Sequence, residues 1–223
     1  MSSPAAGPGL LAGRKLVAVD LETTGWNSAG GHAVIEIACV SIDDGVIGAT
    51  WSSLVRPRRP VPAQAREVHG ISDAMLARAP EPVEVVPVFR AACDRLPLVF
   101  HNAAFDLAFL GPLLREAGAV PLDNVVVDTL GLARGLMGPG ASALETLRDS
   151  LGLEPEPAHR ALGDALTTAR ALLKLAPRWE RERGVRTLEA LAAASQDAVR
   201  LTARRGGFDS GADAVSSERS AAF

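Results

Sequence analysis

The chain has 223 residues, 48% apolar and 22% charged, enough for one sizeable core and unlike a wholly disordered or collagen-like polymer. No stretch approaches the roughly 18 uninterrupted apolar residues of a membrane span, and residues 1–15 lack the pattern of a signal peptide. The net charge is −3, and up to Leu175 there are 15 basic against 19 acidic residues, so handling phosphate there would take bound cations or a local patch.

Residues 1–14 are small and rich in Pro and Gly, and read as a flexible leader. Leu16-Val17-Ala18-Val19 is a continuous apolar run, the pattern of a strand buried on both faces. A second strand is expected over 33–42. Asp43-Asp44-Gly45 then turns tightly into a third over 46–55. Pro57, Pro60 and Pro62 end this hairpin in an extended crossing segment. Ser72 caps a short helix, and a longer one covers 83–95. A fourth strand spans 98–101. Asn102 then caps a helix reaching 117, which Pro112 should kink.

A fifth strand follows over 125–128. Ser142-Ala143-Leu144-Glu145 is a capping box, and 160–175 is the last strongly patterned helix of this unit. The alternation after an antiparallel start indicates an α/β fold, a mixed five-stranded sheet flanked by helices. Cys39 and Cys93 lie in apolar segments and read as core residues of a reducing cytoplasm. Pro177 is expected to break the helix. Residues 176–205 form a helical extension with a stripe of Leu188, Leu191, Ala192, Ser195, Ala198 and Val199. Residues 206–223 are Gly/Ser/Ala-rich and read as a disordered tail.

Three segments carry chemistry. Asp20 and Glu22 end the first strand, and residues i and i+2 of a strand point to one face. His101-Asn102-Ala103-Ala104-Phe105-Asp106 places an acid in the first turn of a helix. His159-Arg160-Ala161-Leu162-Gly163-Asp164 places another on a helix whose Ala161, Ala165 and Ala169 allow close packing on the sheet. Each segment alone has an ordinary structural reading, as a turn entry, a dipole-favoured acid or a cap. Together they put four acids at element ends that can face one point. Four such charges would repel unless cations neutralised them. All-oxygen ligation selects Mg²⁺ or Mn²⁺, and two such ions suit phosphoryl chemistry, with His159 able to deprotonate a water.

Val-Ala-Val-Asp20-Leu-Glu22-Thr-Thr-Gly, His-Asn102-Ala-Ala-Phe-Asp106 and His159-Arg-Ala-Leu-Gly-Asp164 resemble the three motifs of the DEDDh exonucleases, above all the epsilon-type proofreading members. Val68-His69-Gly70-Ile71 and Asp128-Thr129-Leu130 match in order as well, and the resemblance covers 15–175. It implies a ribonuclease H-like exonuclease domain that removes nucleotides singly from a 3′ end as 5′-monophosphates. Asp20, Glu22 and Asp164 would hold two divalent cations. Asp106 would serve the second ion directly or through water, and His159 would be the general base. Thr23 and His69 would line the terminal-nucleotide pocket, with Gln64 and Asn102 on the substrate side. Gln64 stands where epsilon-type members can carry glutamate, which removes an acidic role there.

The expected substrate is the single-stranded 3′ end of DNA, with a 3′ exoribonuclease or small-oligonucleotide nuclease as the alternative, and the resemblance suggests a DNA polymerase subunit as partner. An inactive nucleic-acid- or partner-binding module on the same fold is the remaining alternative, and the complete set of four acids and a histidine speaks against it. Gly9-x-x-x-Gly13-Arg14-Lys15 has the wrong spacing for a phosphate loop. Glu36 is read as an outer-face acid in a structural pair and His32 as a solvated loop residue. Arg56, Arg58 and Arg59 are the one compact basic cluster of the unit, open between a solvated loop and a phosphate contact. The chain has no Tyr, and no regular stacking platform is visible. Because all five catalytic groups precede Leu175, a chain ending there is expected to stay folded and active.

Overall fold

The structure is a computed structural model that describes residues 9–140 and 143–205. Strand β1 (Lys15–Thr23) lies antiparallel to β2 (Val34–Asp43), which a turn at Asp44 and Gly45, both at positive φ, joins to β3 (Val46–Leu54). Three short helices follow: α1 (Ala63–His69), α2 (Asp73–Leu76) and α3 (Pro82–Cys93). Strand β4 (Leu98–Phe100) leads into α4 (Ala103–Glu116), and β5 (Val126–Asp128) leads into α5 (Thr129–Met137). Helices α6 (Leu144–Leu151), α7 (Ala161–Arg183) and α8 (Leu188–Arg205) complete the described chain. The sheet order is β3-β2-β1-β4-β5, with β4 parallel to both β1 and β5. This is the ribonuclease H-like mixed sheet that the sequence implies.

Alternation along β1 decides which helix meets which side chain. Leu16 and Ala18 belong to the core shared with α5, α7 and α8, whereas Val17, Val19 and Leu21 belong to the core under α3 and α4. Asp20 and Glu22 continue the even series, so they project toward the α7 side of the sheet. Ala161, Ala165, Ala169 and Ala176 of α7 are fully buried, and their small size lets that helix lie close against β1 and β2. Cys39 and Cys93 are both free and buried. The adjoining Cys93 thiol, with burial, pushes the Cys39 thiol up. Among the described residues no helix is long and apolar enough to cross a membrane.

Several expectations need correction. Pro177 does not break α7, which continues to Arg183. Burial of Leu175, Ala176 and Trp179 on the same helix outweighs the one backbone bond that the proline forfeits. A boundary at Leu175 therefore falls inside a helix. The extension beyond it is part of the same core, since Leu188 and Leu191 are buried in the cluster that holds Leu16 and Ala18. At Gly131 of α5 a Cβ would collide with the Ser195 carbonyl of α8, so the two helices touch backbone to backbone. The loose leader likewise does not reach Leu10 and Leu11. Both are buried, and the Leu10 N–H donates to Glu180 Oε2 at 3.2 Å. The tail over 206–223, the first eight leader residues and the Ser142 cap lie outside the described residues.

Candidate active site

Asp20 and Glu22 stand buried at the end of β1, and Asp164 sits in the first turn of α7. One carboxylate oxygen from each lies within 4.8 Å of the others. These are hard anionic donors with no nitrogen or sulfur among them, and the trio fits a small divalent cation of the Mg²⁺ or Mn²⁺ kind. Three of the four acids expected from the sequence thus come together. Asp106 is equally buried but belongs to α4, which packs on the opposite face of the sheet, and it is not one of the three.

The start of α7 is held by an ion pair. Glu36 of β2 faces Glu22 of β1 across the antiparallel register. It is buried, and it accepts from Arg160 Nη2 at 2.6 Å, from Arg160 Nε at 3.0 Å and from the Ala161 N–H at 3.0 Å. The Glu36 carboxylate, helped by the field of Glu22, raises the Arg160 guanidinium above its usual range. The sequence reading had Glu36 in a structural pair but on an outer face. It is instead a buried clamp that aligns the helix carrying Asp164. At Gly163 a Cβ would collide with the Pro157 carbonyl oxygen, so this glycine lets the 157–159 loop fold down on the first turn of α7. His159 ends that loop at φ 56°, half-exposed, with Nε2 3.8 Å from Glu145 Oε1.

Asn102 does not cap α4 with its side chain, as expected, but adopts a left-handed conformation and makes no side-chain cap bond. The cap comes from Asp128 at the end of β5. Its Oδ1 accepts from the Asn102 N–H at 3.0 Å and the Leu130 N–H at 2.9 Å, and its Oδ2 accepts from the Ala103 N–H at 3.0 Å. Burial raises the Asp128 pKa, and these backbone donors pull against that rise. The Asp128 N–H in turn donates to Ser195 Oγ of α8 at 3.1 Å. One residue therefore links the C-terminal helix to the helix bearing Asp106. Only the Asp-Thr-Leu match hinted at it in the sequence. His101 is buried, with Nδ1 3.0 Å from the Thr129 hydroxyl.

Beside the carboxylates lies a pocket of about 150 Å³, lined by Glu22, Thr23, Trp26, His32, Gln64 and His69 among others. Thr23, Gln64 and His69, all singled out from the sequence, line this one pocket. Trp26 carries no periodic signal in the sequence, and His32, expected as a solvated loop residue, is half-buried against this pocket. The Thr24 hydroxyl accepts from the Ala33 N–H at 3.0 Å and also lies 3.2 Å from His32 Nδ1, which ties the His32 ring to the end of β1. His69 Nδ1 accepts from the Ile71 N–H at 3.0 Å, and burial lowers its pKa, so its ring is neutral.

A family model described as Exonuclease matches residues 17–172. The chain belongs to that family. The solved structure of an exonuclease X in complex with 5′ overhanging duplex DNA is 30% identical, with a TM-score of 0.64, over 81% of this chain and 99% of that one. An epsilon-like DNA polymerase III protein of Rhodobacter capsulatus is 42% identical over 166 residues, and the epsilon subunit of Haemophilus influenzae is 36% identical over 159. Those matches take in 72% and 67% of this chain, but 23% and 62% of the two relatives. Exonuclease I of E. coli shares the fold at 18% identity and a TM-score of 0.67. The motif resemblance to 3′–5′ exonucleases thus holds over the segment from which it was read.

Proposed function

We propose that the chain removes nucleotides one at a time from the 3′ end of DNA as nucleoside 5′-monophosphates. The observation that carries this reading is the convergence of Asp20, Glu22 and Asp164 beside a pocket that Glu22 also lines. Three buried or half-buried acids so close together destabilise a fold unless a cation offsets their repulsion. Two divalent cations bound there, Mg²⁺ or Mn²⁺, would neutralise charge growing on the scissile phosphate. Asp20, Glu22 and Asp164 would hold them, with Asp106 serving the second directly or through water.

His159 takes the proton of the attacking water and passes it to solvent, to which its half-exposed ring has access. Thr23, Gln64, His69 and Asn102 form the substrate side. His32 offers a ring nitrogen to the terminal nucleotide, and the Trp26 ring, partly exposed and 6.0 Å from Phe105, offers a face for a base. DNA is the substrate suggested by the epsilon-type relatives and by exonuclease X. The same relatives suggest work beside a DNA polymerase, and the two unbridged thiols suit a reducing cytoplasm.

The test is a gel of 5′-labelled single-stranded DNA and RNA of one sequence with Mg²⁺, Mn²⁺ or EDTA. Stepwise shortening of DNA with either metal and none in EDTA is expected. Shortening of RNA alone would make the chain an exoribonuclease, and no shortening of either would make it a binding module.

A further inference from the structure

A second cleft has a volume of about 240 Å³, and His32 lines both it and the pocket beside the carboxylates. Its floor is apolar, from Phe109 and Leu113 of α4, and its rim carries Arg56, Arg58 and Arg59 from the segment after β3. These are the three arginines that stood out as the one compact basic cluster of an otherwise acidic unit. Among the described residues their guanidiniums are held only by surface partners. Arg56 Nη1 donates to Glu81 Oε1 at 3.0 Å, Arg58 Nε to Glu116 Oε1 at 2.6 Å, and Arg59 Nη1 to the Gly30 carbonyl at 3.3 Å. The Arg58 side chain is 84% exposed. Exposed pairs of this kind contribute little to stability, so the guanidiniums can exchange a carboxylate for a phosphate, which they match in a bidentate fork.

We propose that this cleft is the track for the sugar–phosphate backbone of the DNA strand under digestion, holding the nucleotides that precede the terminal one. Two observations select that occupant. The cleft shares the His32 wall with the terminal-nucleotide pocket, and the charge of its arginines is opposite to that of the polymer and to that of the chain as a whole. The proposal rests on the nuclease reading above. It adds that substrate length is sensed here, away from the carboxylates, and that an acidic catalytic unit gains its hold on a polyanion from this one rim.

The experiment uses the full chain and the variants Arg58→Gln and Arg58→Gln/Arg59→Gln. Binding of labelled thymidine oligomers of increasing length is followed by fluorescence anisotropy in Ca²⁺ over a salt series. Turnover of the same oligomers and of thymidine 5′-monophosphate p-nitrophenyl ester is measured in Mn²⁺. The ratio of kcat/KM for a long oligomer to that for the ester should fall about tenfold in the double variant, and the salt slope of binding should become shallower by about 0.7 for each phosphate that is no longer neutralised. Arg58→Lys should keep most of the slope. A ratio and a slope both equal to those of the parent would overturn the track. A parent chain that binds long oligomers with this slope but cleaves neither substrate would instead overturn the nuclease reading and leave the track standing.

Discussion

Ending the chain at Leu175 should unfold it, even though every proposed catalytic group precedes that residue. The cut falls inside α7 and removes Trp179, Leu188 and Leu191, all buried in the main core. Burying one large apolar side chain is worth about 1.5–3 kcal/mol, so these three contribute roughly 5–9 kcal/mol. Two buried hydrogen bonds go with them, from Trp179 Nε1 to the Leu132 carbonyl at 3.0 Å and from the Asp128 N–H to Ser195 Oγ at 3.1 Å. At about 1 kcal/mol each they add modestly. A domain of this kind has a total stability of about 5–15 kcal/mol, so the loss is of the same order as the whole. Thermal melts by circular dichroism would compare chains ending at residues 175, 205 and 223. The shortest should show no cooperative transition and no nuclease activity, and the other two should match. A chain ending at Leu175 that melts cooperatively within a few degrees of the parent would refute the view that α8 belongs to the catalytic core.

The carboxylate site is tested by Asp20→Asn and Asp164→Asn, which should melt no lower than the parent in EDTA, lose nearly all activity and lose the rise in Tm that Mn²⁺ gives the parent; a normal Mn²⁺ rise in both would sink the shared site. His159→Ala should slow cleavage by about 10²–10⁴-fold while keeping the Mn²⁺ rise, whereas His101→Ala should lower Tm, because its buried ring contacts Thr129; the opposite pattern in the acidic limb of the pH–rate profile would exchange their roles. Glu36→Gln should cost about 1–3 kcal/mol in urea melts, less than the loss of a fully buried pair because Arg160 is partly exposed, and should lower kcat by loosening the first turn of α7. His69 is more easily protonated in the unfolded chain than in the fold, so its contribution is complete above about pH 6.5 and is lost as pH falls through its lowered pKa. His69→Gln should therefore flatten the dependence of Tm on pH between 7 and 5, and an unchanged slope would remove His69 as its source.

Much of the site was legible in one dimension because its chemistry sits at element ends that leave local marks. Asp20 and Glu22 close a continuous apolar run, and period-two geometry alone puts them on one face. Small residues at Ala161, Ala165 and Ala169 announced a helix that lies close to the sheet, and so the approach of Asp164. The mixed sheet followed from strand and helix alternation, down to the turn at Asp44 and Gly45. Other features depend on residues far apart in the chain. Glu36 and Arg160 are 124 residues apart, and only the packing of α7 across β2 makes them partners. Asp128, not Asn102, caps α4 because β5 ends beside the start of that helix, a proximity that parallel pairing with β4 creates. Pro177 reads as a helix breaker from its ring and missing N–H, which are local. It remains inside α7 because Trp179, Leu188 and Leu191 fill one core with β1, and burial on that scale is a property of the assembled layers.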